Sequence, residues 1–101
     1  MQMPTIFKPL VIRRMVGRSM APKLRPGQMI VGTVLFRKLH PGQVVIIERD
    51  HKELIKRIER IEDDRLFVIG DNLEASTDSR HFGWLDQREV IARVLRPNLA
   101  K

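Results

Sequence analysis

Two short stretches of this chain are nearly identical. "KLRPGQMIV" at Lys23–Val31 returns almost letter for letter as "KLHPGQVVI" at Lys38–Ile46. Pro-Gly suits the central positions of a type II turn, because proline fixes φ and glycine accepts the positive φ that follows. Each turn feeds an apolar run rich in Val and Ile, "MIVGTVLF" and "VVIIE", and such runs bounded by turn residues read as strands. The spacing is too short for a solenoid repeat and occurs once, so these are consecutive strands with similar entries. A chain that twice turns sharply and then runs extended is committed to β structure.

Other segments agree. "LVIRRMV" near the start is a candidate first strand, "RLFVIGDN" a strand running into a loop, and "EVIARVLRP" a last strand closed by Pro97. The expectation is a mostly β, compact antiparallel domain. The 101 residues suffice for one domain with a single modest core, with residues 1–10 a loosely ordered N-terminal segment. Between Gly70 and Gly83 lies a polar, turn-rich stretch, "GDNLEASTDSRHFG"; loops of such length in compact domains are usually functional or disordered.

"HKELIKRIERIEDD" is ambiguous. Leu54, Ile55, Ile58 and Ile61 fit a helical stripe, and Glu53 with Arg57 makes a favourable i,i+4 pair. As a strand, the same segment puts Leu54, Lys56 and Ile58 on one face, with a lysine among apolar neighbours. Propensity alone favours the helix.

Composition narrows the chemistry. There are no cysteines, which excludes disulfides, thiol catalysis and cysteine-bound zinc. His40, His51 and His81 are not at metal-ligand spacing, so no metal site and no cofactor are expected. The apolar runs fall far short of the ~20 residues of a membrane-spanning helix, and the basic pair of "MQMPTIFKPLVIRR" follows its apolar patch, the reverse of a secretory signal. The chain therefore reads as unanchored and cytoplasmic. A net charge of +7 raises the prior for an acidic partner. Four Phe, one Trp and no Tyr, without the aromatic–basic interleaving of a base-stacking sheet, argue against nucleic acid.

Three separated pieces carry a stronger signal: "GRSMAP" (Gly17–Pro22), "IKRI" (Ile55–Ile58) and "GDNLEASTDSRHFG". In this order they closely resemble the type I signal peptidase family of serine proteases, which uses a Ser–Lys dyad. The resemblance runs from about Val16 to Val94, and its third box is the most specific. It implies that Ser19 is the nucleophile and Lys56 the general base. The chemistry is coherent on its own terms. A serine hydroxyl needs a base, and lysine serves only when neutral, which burial beside Leu54 and Ile58 on a strand would favour. The family reading therefore overrides the helix.

The resemblance also assigns supporting residues. Ser76 matches a serine that orients the lysine amine, although a turn serine is about as common a priori. Asp78 and Arg80 match a carboxylate–guanidinium pair bracing the loop; otherwise they are a surface pair of little worth. Gly70, Asp71 and Asn72 form a turn into that loop. Gly17 stands where some relatives carry a serine that helps hold the oxyanion, which shifts that work to the Ser19 backbone N–H, with Arg18 a further candidate. Met20 and Pro22 are assigned to the substrate pocket, Met20 having core filler as its plain alternative.

Two departures stand out: relatives carry an N-terminal membrane anchor, and they often have Asp where the Pro-Gly turns here have Gln28 and Gln43. The glutamines read as cosmetic. The missing anchor points to a soluble endopeptidase that removes an N-terminal extension from a protein or peptide substrate. Short anchorless members include maturation proteases of nickel-type superoxide dismutase, which this chain resembles in size and in its "RVLRP" ending. The alternatives are a LexA-type self-cleaving peptidase, which also pairs Ser with Lys but lacks the third box, and an inactive basic β-barrel binding nucleic acid or a protein partner.

Overall fold

A computed structural model describes residues 9–99. Its framework is one antiparallel sheet of seven strands: β1 Leu10–Arg14, β2 Met29–Thr33, β3 Val44–Arg49, β4 Lys52–Glu62, β5 Arg65–Ile69, β6 Leu85–Asp86 and β7 Val90–Arg96. The spatial order is β1-β2-β7-β3-β4-β5-β6. Among the described residues, one short helix, α1 Ser79–Phe82, and two single turns of 3-10 helix complete the elements. The expected loose segment 1–10 falls almost wholly outside the described residues, although Leu10 already opens β1.

Both Pro-Gly turns form as the sequence predicts. Gly27 and Gly42 adopt positive φ, 85° and 94°. The two glutamines that read as cosmetic in sequence have matching structural jobs. Gln28 Oε1 accepts the Arg25 amide at 3.0 Å and Gln43 Oε1 accepts the His40 amide at 2.9 Å. Each side chain ties back the residue that opens its own turn, the service a short carboxylate commonly performs at such corners.

The sheet is buried on both faces at its centre. Val44 and Ile46 of β3 join one core with Met20, Leu24, Ile30, Ile55, Ala92 and Val94. Val45 and Ile47 join a second with Ile58, Leu66, Val68 and Leu85 on the opposite face. Successive strand side chains point to opposite faces, so a strand between two cores reads as a continuous apolar run, as "VVII" does.

The ambiguous segment is the long strand β4, eleven residues from Lys52 to Glu62. Its helix-like spacing has a physical cause. Ile55 belongs to the first core, whereas Leu54 and Ile58 pack in the second. The pairing of β4 with β5 then shifts register between Ile58 and Arg60. One extra residue reverses the alternation, so Ile61 returns to the second core beside Ile58. Two buried faces and one bulge imitate a 3.6-residue period.

Candidate active site

Lys56 lies opposite Val45 in the β3–β4 ladder and shares the face of the second core. Its side chain is only 3% exposed, with Leu54 and Ile58 one pleat away on either side. Burial pushes the Lys56 ammonium down from its ordinary pKa; the nearby Asp78 carboxylate opposes this and Arg80 reinforces it. Desolvation wins, as it does for lysines drawn into apolar surroundings.

The partner of the amine is a hydroxyl. Lys56 Nζ donates to Ser76 Oγ at 2.9 Å, and Ser76 Oγ donates to Asp78 Oδ2 at 2.6 Å. Asp78 has no exposed surface. Burial works to raise its pKa, but Arg80, the Ser76 hydroxyl and the Gly70 and Arg80 amides together hold the carboxyl well below the usual carboxylate range. Arg80 Nε reaches Oδ1 at 2.9 Å and its Nη2 reaches Oδ2 at 3.1 Å, and the Gly70 amide donates to Oδ2 at 2.8 Å. The Asp78–Arg80 pair, which could have been a solvated surface contact, is half buried and fully engaged. With Asp78 ionised, the Ser76 proton is committed to it. The oxygen facing Lys56 can then only accept, and one N–H of the amine is enough to satisfy it. The nitrogen lone pair stays available in the neutral form.

Gly70 joins the pieces. A Cβ on it would overlap Ser76 Oγ, lie 2.5 Å from Ser76 Cβ and 2.6 Å from the Ser19 carbonyl oxygen, so no larger residue fits between these two serines. Its neighbours hold the turn that carries Ser19. The Asn72 amide donates to the Ser19 carbonyl at 2.8 Å, and Asn72 Nδ2 to the Arg18 carbonyl at 3.0 Å. Within the Ser19 turn, the Ala21 amide returns to Arg18 O and the Leu24 amide to Met20 O. At the far side, the buried Ser79 Oγ accepts the Val68 amide at 2.8 Å, fastening α1 to β5. The roles of Gly70 as spacer and Asn72 as clamp are additions to what the sequence suggested. Their signal was the "GDN" triplet, which reads as a turn without revealing what it turns against.

Ser19 and Lys56 meet at one cavity of about 250 Å³, walled by residues 13–16 from the end of β1 and by residues 53–56 of β4. Ser19 is 9% exposed. Met20 and Pro22 do not line this cavity. Met20 is fully buried in the first core beneath the serine, where its sulfur accepts the Asp71 amide at 3.4 Å, and Pro22 is exposed. Gly17 sits at φ 78°, with open space where a Cβ would stand, so its requirement is conformational. Arg18 is exposed beside it.

Residues 58–97 match the family described as signal peptidase, peptidase S26. The matched stretch contains Ser76, Asp78 and Arg80 and begins two residues after Lys56, so neither Lys56 nor Ser19 lies within it. No curated protein matches the chain. Among the described residues, no helix is long and apolar enough to cross a membrane.

Proposed function

We propose that this protein is a signal peptidase-like serine endopeptidase in which Ser19 and Lys56 form the catalytic dyad. The observation that carries the reading is Lys56 itself. It is a buried lysine with a lowered pKa, hydrogen-bonded to a hydroxyl rather than a carboxylate, in the same cavity as a serine on a braced turn. A structural lysine in that position would be expected to meet a charge directly. The match over residues 58–97 supports a signal peptidase-like serine peptidase; it contains Ser76, the hydroxyl that Lys56 meets, and neither member of the dyad.

The steps follow from the groups present. Ser19 Oγ attacks the scissile carbonyl carbon as its proton passes to the Lys56 lone pair. The Ser19 backbone N–H is the proposed donor to the developing oxyanion, where one such donor is worth about 3–4 kcal/mol of barrier. The Lys56 ammonium then protonates the leaving amine, and the acyl-enzyme is hydrolysed by water activated through the same nitrogen. Ser76 aims that nitrogen throughout. The bound substrate is an extended peptide. Among the described residues, residues 52–56 of β4 pair with β3 on one side only, since the β5 ladder begins at Arg57, and β1 pairs with β2 alone. Their free edges border the cavity and offer main-chain partners to an added strand.

The reading extends to limited proteolysis of a protein substrate in the cytoplasm, with a nickel-type superoxide dismutase precursor as the candidate. The test is incubation of purified protein with precursor proteins that carry N-terminal extensions, followed by mass spectrometry of the new N-termini. One defined new N-terminus, lost in Ser19→Ala, supports the proposal. Equal cleavage by Ser19→Ala sinks the nucleophile assignment.

A further inference from the structure

The two walls of the cavity are tied together by an ion pair that the catalytic reading does not use. Arg13 Nε donates to Glu53 Oε1 at 2.6 Å and its Nη2 to Oε2 at 3.0 Å. This is a two-pronged contact from β1 to β4, between residues forty positions apart. Both side chains line the cavity that holds Ser19 and Lys56, and both remain about one-third exposed, 38% and 36%. A staple between strands could sit anywhere along them. This one lies on β4 three residues before Lys56, on the stretch that among the described residues pairs with β3 alone.

Resting on the peptidase reading, we propose that the Arg13–Glu53 pair is a specificity-determining strap that makes one substrate subsite select for uncharged side chains. Each partner satisfies the other with fork geometry, so a neutral guest side chain leaves the pair intact. The remaining Arg13 nitrogen, Nη1, donates to the Ile12 carbonyl at 3.0 Å. An acidic guest approaching Arg13 meets the like charge of Glu53 already on it, and a basic guest approaching Glu53 meets the like charge of Arg13. Either guest must crowd or part the pair. The pair is exposed enough to be parted by substrate, because half-solvated ion pairs are individually weak. Selectivity thus comes from penalising the wrong guest rather than from contacts to the right one.

Removing one partner should unmask the other. The probes are fluorescein-labelled alanine decapeptides carrying a single Glu, Gln or Lys at each position in turn. They are assayed for cleavage with the wild-type, Arg13→Gln, Glu53→Gln and Arg13→Lys proteins, and for binding with each variant built on Ser19→Ala. At one peptide position the wild type should favour Gln over both charges. Arg13→Gln should then favour Lys over Glu, and Glu53→Gln should favour Glu over Lys, each by about 3- to 5-fold, the scale of a partly exposed charge pair. Arg13→Lys should restore the wild-type order. Unchanged orders in both glutamine variants overturn the strap and leave the pair a plain fastener of β1 to β4. Opposite skews in binding without cleavage of any peptide keep the strap and remove the peptidase reading. If no peptide is either bound or cleaved, both fall.

Discussion

Lys56 and Arg57 are adjacent on β4, carry the same formal charge and are almost equally buried, at 3% and 4% exposure. They point to opposite faces of the sheet and solve burial in opposite ways. Arg57 meets a carboxylate head on: Nε and Nη2 reach the two Asp71 oxygens at 2.8 Å each, while Nη1 donates to the Gly42 and Leu99 carbonyls at 2.6 Å. Lys56 is offered the Ser76 hydroxyl, and its nearest carboxylate stands behind that hydroxyl. A guanidinium that cannot lose its proton must be fully paired, whereas an amine can escape the cost of burial by becoming neutral. The difference separates a cation that holds the fold together from a nitrogen available for proton transfer.

The sharpest way to break this contrast is to make the first site like the second. Lys56→Arg keeps a cation on the strand but removes any accessible neutral form, so cleavage should fall on the order of 10⁴-fold or more, the scale of losing a member of a catalytic unit. Retained activity, measured as initial rates on any substrate the wild type cleaves, would mean that Lys56 is not the base. The complementary change is Arg57→Met. It leaves Asp71 buried beside a thioether and should cost about 3–5 kcal/mol of stability, the usual penalty for removing one half of a buried pair. Denaturant unfolding measures it, and a loss below about 1 kcal/mol would show that Asp71 is held well enough by other partners or water.

Much of this contrast was legible in the residues, and what was not has physical reasons. The strands could be read because Val- and Ile-rich runs between turn residues carry a local signal. β4 nearly misled because it is buried on both faces and changes phase at Ile58–Arg60, which no periodicity rule anticipates. Ser76, Asp78 and Arg80 could be named from their box, but the direction of the Ser76 proton depends on the Gly70 and Arg80 donors that ionise Asp78. The crowding of Gly70 between Ser76 and Ser19, and the reach of Arg13 to Glu53, join positions distant along the chain. A single sequence holds no record of such meetings. Met20 shows the limit in the other direction: its place next to Ser19 left both a pocket wall and core filler open, and the turn carries it into the core.

Ser76→Ala tests the hydroxyl that distinguishes the lysine site. It removes the acceptor of the Lys56 N–H and the donor to Asp78 together, while Gly70 and Arg80 still hold the carboxylate. The amine should remain buried but poorly aimed. The expected result is a fall in kcat of about 10- to 100-fold with little change in KM, because in the proposed mechanism the lost interaction acts on the transition state. A rise in KM at constant kcat would move Ser76 to substrate contact, and no change at all would leave it a loop residue.

Lys56→Met should have the smallest effect on stability, and its pH dependence is the part that discriminates. Burial holds the folded pKa of Lys56 below its ordinary value, which is about 10.4 in the unfolded chain. Below the folded pKa the amine is charged in both states, so the full cost of burying it is present and stability does not vary with pH on its account. Between the folded pKa and about 10.4 the unfolded chain binds more protons, and stability rises with pH as that cost fades. Above this window the amine is neutral in both states. Methionine occupies similar volume without a charge, so Lys56→Met should be inactive yet at least as stable as wild type near neutral pH, with an advantage that shrinks toward alkaline pH. The lost Lys56–Ser76 hydrogen bond offsets part of the gain, by about 1 kcal/mol. Asp78 and Arg80, the charged groups nearest the amine, keep their ionisation throughout, because their pKa values are displaced away from this range. Denaturant unfolding of both proteins at several pH values from about 6 to 10 gives the two curves. Convergence at high pH identifies an amine that pays for its burial by titrating. Parallel curves would mean that Lys56 carries the same proton folded and unfolded, making it a second structural cation like Arg57 and removing the base from the proposed dyad.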